Sequence, residues 1–160
     1  CLTTDPFMYG YPEVTELTLQ LIELINSFVI SCSTLTKGIM PVRLADSGRF
    51  SVNNTYGISL VSLDEEFRKK WEPGAAPYAD RIGALRELHD LGCSTLVHIE
   101  PYPTPNIISQ DLTELLEEVS FADEIWFGGW NYNNIVKQYP DHAKFYNEQS
   151  AIVSRFLSSR

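Results

Sequence analysis

Short β-branched runs alternate with amphipathic helical stretches along the whole chain, and this alternation narrows the choice of fold more than any other feature. Residues 12–26 place Val14, Leu17, Leu21, Leu24 and Ile25 at three- and four-residue steps, with Glu13, Glu16, Gln20 and Glu23 between them. That is the period of a helix with its leucines inward and its acids outward, and Pro12 suits the first turn. The runs 28–35 (FVISCSTL), 56–63 (YGISLVSL), 94–99 and 124–128 (EIWFG) read as strands. Between them, 77–91 and 109–119 read as helices, the latter capped by Ser109 or Asp111. A short helix is expected at 41–45, another begins at an Asp64 cap, and a final one covers 143–158 with Phe145, Ile152, Val153, Phe156 and Leu157 inward. Strands that alternate with helices predict a parallel sheet with right-handed crossovers. The opening CLTTDPFMYGYPEV reads as the tail of a strand, a loop and a helix start. Counting that truncated strand gives five strand positions, too few for an eight-stranded barrel of about 250 residues. The expectation is one α/β domain over residues 1–160, a partial barrel or open parallel sheet that begins inside a larger fold.

Charge and cysteine usage exclude several classes of function. A net charge of −9 does not support a surface that coats nucleic acid, which needs clustered Lys and Arg, although it leaves room for a local basic groove. No apolar run approaches the about 18 residues of a membrane span; 19–30 comes nearest and is interrupted by Glu23, Asn26 and Ser27. The first residues do not read as a signal peptide. Cys1, Cys32 and Cys93 are odd in number, far apart and without CxxC spacing. They offer neither a disulfide framework nor a self-contained zinc site; Cys32 and Cys93 read as small core residues, and a reducing, cytoplasmic setting is expected.

Candidate chemistry gathers where strands end. The stretch 95–106 (TLVHIEPYPTPN) starts as a buried strand and meets Pro101, Pro103 and Pro105, so the strand is expected to stop near Ile99 or Glu100. Glu100 is thereby left at a carboxyl end, the edge at which α/β folds bind ligands, with His98 on the same face. An ordinary strand exit with Glu100 in water stays open as the alternative. Thr3, Thr4 and Asp5, Thr34 and Lys37, Ser62 and Asp64, and Asn131 and Tyr132 occupy the corresponding positions after the other strands. Asp5 and Glu100 suggest an acid/base pair only weakly, since nothing fixes their separation. No GxGxxG or P-loop pattern occurs. Arg81 opens a helix, against the dipole preference, which points to Glu72, a ligand carboxylate or plain solvent as its partner.

Several phrases resemble the radical S-adenosylmethionine (radical SAM) proteins, in particular the branch related to spore photoproduct lyase. They are TTDPF (3–7), TLTKG (34–38), SLVSLDEEFRKKWEPGAAPYADRIGALRELHDLGC (59–93), HIEPYPTPN (98–106) and FGGWNYN (127–133), in the family's order and over nearly the whole chain. The resemblance implies a partial (β/α)6 barrel, truncated at its N-terminus, that holds SAM across the strand ends. It implies that Thr4 and Asp5 lie near the SAM amino group, Lys37 near its carboxylate, Ser62 at the ribose and Glu100 beside the adenine. Tyr102, Asn106, Asn131 and Tyr132 would face substrate, and Glu72 and Arg81 would form a structural ion pair. The family's CxxxCxxC triad is missing from this sequence, and Gly129-Trp130 stands where a basic residue is expected. A 4Fe–4S cluster would therefore need cysteines upstream of Cys1, and no residue of this chain is assigned as a metal ligand or as catalytic. The implied function is the domain of a radical SAM, lyase-like enzyme whose intact parent cleaves SAM reductively and abstracts hydrogen from an unidentified substrate. The alternative is a non-catalytic relative that binds a nucleoside-type ligand or a partner protein, with the exposed sheet edge open to homo-oligomerisation. A metal-independent hydrolase or lyase built on Glu100 and His98 is a third, weaker reading.

Overall fold

A computed structural model describes residues 4–159. Cys1, Leu2 and Thr3, on which the expected first strand position falls, lie outside the described residues, as does Arg160. Within them the alternation holds: α1 (Pro12–Ser27), β1 (Ser33–Thr36), a 3-10 turn (Val42–Ala45), β2 (Thr55–Ser59), α2 (Glu65–Trp71) and α3 (Tyr78–Asp90) come first. β3 (Ser94–Tyr102), α4 (Leu112–Glu118), β4 (Glu124–Gly129), a 3-10 turn (Val136–Gln138) and α5 (His142–Ser158) follow. The four described strands form one sheet in chain order, every pair parallel.

A sheet whose order never reverses sends each right-handed crossover to the same face. Tyr56, Ile58, Val97, Ile99 and Ile125 accordingly share one core with Leu19 and Ile22 of α1, Leu85 and Leu88 of α3, Leu115 and Leu116 of α4 and Val153 of α5. The opposite sheet face carries His98, Glu100 and Trp126, the last of them exposed. Helices on one face and a polar, part-exposed other face are compatible with a segment of an α/β barrel and unlike a doubly wound sheet, where both faces are covered. Because all four strands are parallel, their carboxyl ends share one edge.

Local chemistry explains most boundaries. The Asp64 carboxylate accepts from the backbone N–H of Glu66 and Phe67 at 2.7 and 2.9 Å and so starts α2. Asp111 rather than Ser109 caps α4, accepting from Thr113 N at 2.8 Å. Gly92, at φ +86°, stops α3 in a conformation that costs any other residue strain.

Five expectations are corrected. The apolar stripe of α1 does not face inward: Leu19 and Ile22 are buried, while Leu17, Leu21 and Leu24 are exposed. Polar clamps set this rotation. Glu16 and Glu23 pair with Arg43 and Arg49, and Asn26 bonds Asn54 and Ser51 N, so the acid-bearing side is held against the body. The strand expected at 28–35 begins only at Ser33, and Phe28, Val29 and Ile30 lie exposed ahead of it. β2 ends at Ser59 rather than at residue 63, the chain running on with Leu60 N bonded to His98 O at 3.0 Å. β3 does not stop at Ile99 or Glu100 but reaches Tyr102, because its pairing with β4 shifts between Ile99 and Tyr102 and Pro101 falls within that irregularity, where no ladder N–H is required. Leu157 is exposed near the carboxyl end of α5 rather than inward.

The amino ends of β3 and β4 are tied by Asp123, whose carboxylate accepts from Thr95 N and Thr95 Oγ1, both at 2.8 Å. Desolvation pushes the Asp123 carboxyl up, but the two Thr95 bonds and nearby His89 outweigh it and hold the group below the usual range. A depressed folded pKa gives stability that is complete above the unfolded value and lost as pH falls through the folded one. Asp123→Asn is thus expected to lower stability at pH 7 and to flatten the decline below about pH 4, read from urea midpoints across a pH series.

Candidate ligand site at the carboxyl edge of the sheet

The end of β1 is held by the segment that precedes α1. Asp5 accepts from Phe7 N at 2.9 Å, from Lys37 N at 2.7 Å and from the Thr36 hydroxyl, which itself accepts from Gly38 N at 2.8 Å. The approach is so close that a side-chain carbon on Gly38 would overlap the Phe7 carbonyl oxygen. Asp5 therefore straps residues 4–8 across the strand end, leaving its carboxylate at the edge of a cavity.

Lys37 leaves that strand end and pairs through Nζ with Glu72 Oε1. The other Glu72 oxygen takes Arg81 NH2 at 3.1 Å, in the interior. Arg81 is fully buried in the first turn of α3, donating from Nε to Ala76 O at 2.8 Å and from NH1 to Ser59 O at 2.9 Å. Its guanidinium carbon lies 4.8 Å from the centre of the Tyr78 ring. Burial and the neighbouring Glu72 carboxylate push the Tyr78 hydroxyl well above its ordinary value, so it stays protonated. These contacts compensate Arg81 for its unfavourable place in the helix dipole. The Glu72–Arg81 pair is thus a strut between α2, α3 and β2, and Lys37 is its part-exposed third member.

Two cavities meet at this strut. The first, about 330 Å³, lies between Asp5, Met8, Tyr9, Tyr11, Lys37 and the Glu72-Pro73-Gly74 turn. The second, about 340 Å³, is bounded by Lys37, Val61, Phe67, Trp71, Pro101 and Trp130, with Glu72 and Pro73 as the shared wall. Trp71 and Trp130 meet edge to face, ring centres 5.4 Å apart. Trp130 is fixed from behind: its backbone N–H donates to the Tyr146 hydroxyl at 3.0 Å, and that hydroxyl donates to Tyr102 O at 2.9 Å. Each cavity has the volume of a small-ligand subsite and carries both aromatic rings and a charged group. Asp5, Lys37, Glu72 and Arg81 balance in charge, which suits a neutral or zwitterionic head better than a polyanion.

The other expected site residues divide between the neighbourhood of these cavities and the interior. Thr4 is exposed beside Asp5. Ser62 is buried, its Oγ accepting from Asp64 N at 3.1 Å, so it shapes the turn into α2 while its neighbour Val61 lines the second cavity. Glu100 turns to the open sheet face, 3.5 Å from His98 Nε2 and against Gly128, and its neighbour Pro101 reaches the cavity instead. Tyr102, expected to face substrate, is a core residue: it is buried against Phe127 and Phe145, and desolvation pushes its hydroxyl to about 12. Asn106 bridges loops, donating to Ile135 O at 2.7 Å and accepting from Thr104 Oγ1 at 2.6 Å. Asn131 and Tyr132 sit on the exposed turn after Trp130, with Tyr132 at φ 64°. Strand alternation and chain order cannot distinguish the two sides of a loop, and that is where these placements part from expectation.

The aromatic linings, Tyr9, Tyr11, Trp71 and Trp130, were not among the expected site residues. Their signal in the sequence was adjacency: YGY follows the Asp5 strap, and Trp71 directly precedes Glu72-Pro73. Among the described residues no group of three His, Cys, Asp or Glu is placed to hold a metal ion. Cys32 and Cys93 lie just before the amino ends of β1 and β3, at the opposite end of the sheet from the two cavities. The described donor set therefore does not fit a 4Fe–4S cluster. Comparisons with family models, with curated proteins and with solved structures find no match to the chain.

Proposed function

We propose that this carboxyl edge binds an amino-acid nucleoside of the S-adenosylmethionine type. The observation that carries the reading is the Lys37–Glu72 pair set between two aromatic-walled cavities. A zwitterionic head can exchange into such a pair, its carboxylate meeting the Lys37 ammonium and its amino group the Glu72 carboxylate, while its planar base and thioether carbons occupy the apolar walls. The ordered resemblance to radical SAM proteins supports the same ligand from the sequence side. Reductive cleavage of SAM belongs in this proposal to an intact parent that supplies a cluster. The part proposed for this chain's own residues is to bind and position the ligand.

Calorimetry of the purified chain is expected to show saturable SAM binding. Lys37→Ala should weaken it about ten- to a hundredfold, the worth of one charge-assisted hydrogen bond, and leave the fold intact because Arg81 still neutralises Glu72. Adenosine, which lacks the amino-acid head, should bind both proteins alike. A chain that takes up no SAM at millimolar concentration overturns the proposal. Equal SAM affinities for the two proteins would remove Lys37 from it.

A further inference from the structure

The exposed side of α1 is the least expected surface of the molecule. Leu17, Leu21, Leu24 and Phe28 are 66, 53, 57 and 69 % exposed. Their spacing of four, three and four residues puts them on one stripe roughly 16 Å long. Leu19 and Ile22 are buried on the other side, so α1 is apolar on two opposed faces, as in a helix sandwiched between two layers. Val29 continues the stripe at 96 % exposure with φ 62°, a backbone region that β-branched residues rarely adopt, and the turn is held by Asn26 Nδ2 donating to Ile30 O at 2.8 Å. The local structure thus holds Phe28, Val29 and Ile30 outward.

We infer that a second copy of this chain covers the stripe through an antiparallel, two-fold pairing of α1 with α1. The 4-3-4 spacing reads the same in both directions. Inverting the helix about a point between Ile22 and Glu23 places Leu17 opposite Phe28 and Leu21 opposite Leu24 of the other copy. A surface that is its own complement under a two-fold axis is what an isologous contact requires. The charges agree. Gln20 and Ser27 flank the stripe without charge, and Glu16 and Glu23 lie behind it, turned to Arg43 and Arg49 of the same copy. Uncharged or internally paired flanks also lack the free Lys and Arg that an anionic lipid surface favours beside the apolar face. This contact is a helix face, separate from the β1 edge of the sheet formed by the described strands, and does not depend on the ligand proposed above.

Light scattering on the 160-residue chain over a dilution series should show a reversible dimer. Leu21→Lys and Leu24→Glu replace exposed residues and should leave the circular dichroism spectrum unchanged, while each weakens self-association about a hundredfold by burying an unpaired charge. Mixed in equal amounts, the two variants should form a heterodimer, because the register sets position 21 of one copy against position 24 of the other. A wild-type chain that stays monomeric at millimolar concentration overturns the inference, and one that also binds neutral phosphatidylcholine vesicles assigns the stripe to lipid. Variants that still dimerise move the contact elsewhere on the surface, and a mixture that fails to associate overturns the antiparallel register.

Discussion

Arg81→Ala is expected to remove about 3–5 kcal/mol of folding stability, a large share of what a domain this size possesses. The guanidinium is fully buried and has three acceptors, Glu72 Oε2, Ala76 O and Ser59 O. Deleting it strips those acceptors of their donor, empties the space over the Tyr78 ring and leaves the Glu72 carboxylate with Lys37 alone. Orphaned acceptors and the cavity act in the same direction, so no compensation within the site is expected. Arg81→Lys keeps the charge but offers a single ammonium where a planar fork serves three groups, and should recover less than half of the loss. Urea unfolding followed by circular dichroism measures both. A loss for Arg81→Ala under about 1 kcal/mol would show that the strut is ornamental and that the wall between the cavities is held by something else.

The strut was legible in part: an arginine in the first turn of a helix asks for a partner, and Glu72 stood as a candidate beside a ligand carboxylate and plain solvent. The parallel sheet was legible from periodicity, since β-branched runs and 3.6-residue spacing are set by local geometry. Rotation of α1 was not. Its leucine stripe is the stronger apolar signal, yet the helix buries Leu19 and Ile22 because Glu16, Glu23 and Asn26 find long-range partners in Arg43, Arg49 and Asn54. Periodicity names the faces of a helix and leaves the choice between two apolar faces to such contacts. The site shows the same limit. Asp5 and Lys37 lie where a strand-end reading puts them, but Tyr102 is in the core because the β3–β4 pairing shifts at Pro101 and carries the strand further. Glu100 and Pro101 then divide between the open sheet face and the cavity wall, a division that residue identity alone does not announce.

Gly38→Ala should cost about 2–3 kcal/mol and loosen the proposed ligand site at the same time. The added carbon would overlap the Phe7 carbonyl oxygen, which is backbone and cannot swing aside. The segment that must retreat is the one Asp5 straps to Thr36 and Lys37, and Phe7 itself is buried in the core. Moving it therefore breaks the bonds at the end of β1 and shifts Asp5 and Tyr9 from the first cavity. A displacement of about 1 Å is enough to weaken a fitted ligand by an order of magnitude or more, so SAM affinity should fall about tenfold even where the variant is folded. Gly128→Ala provides the contrast. There the new carbon meets the Glu100 side chain, carboxylate and Cγ alike, which is part-exposed and can swing aside as a whole where a backbone carbonyl cannot. That substitution should cost less than about 1 kcal/mol and leave SAM affinity unchanged, because Glu100 lines neither cavity. If calorimetry instead finds ligand binding lost in Gly128→Ala and kept in Gly38→Ala, the ligand lies on the open sheet face with His98 and Glu100, and the Asp5 strap is a matter of stability alone.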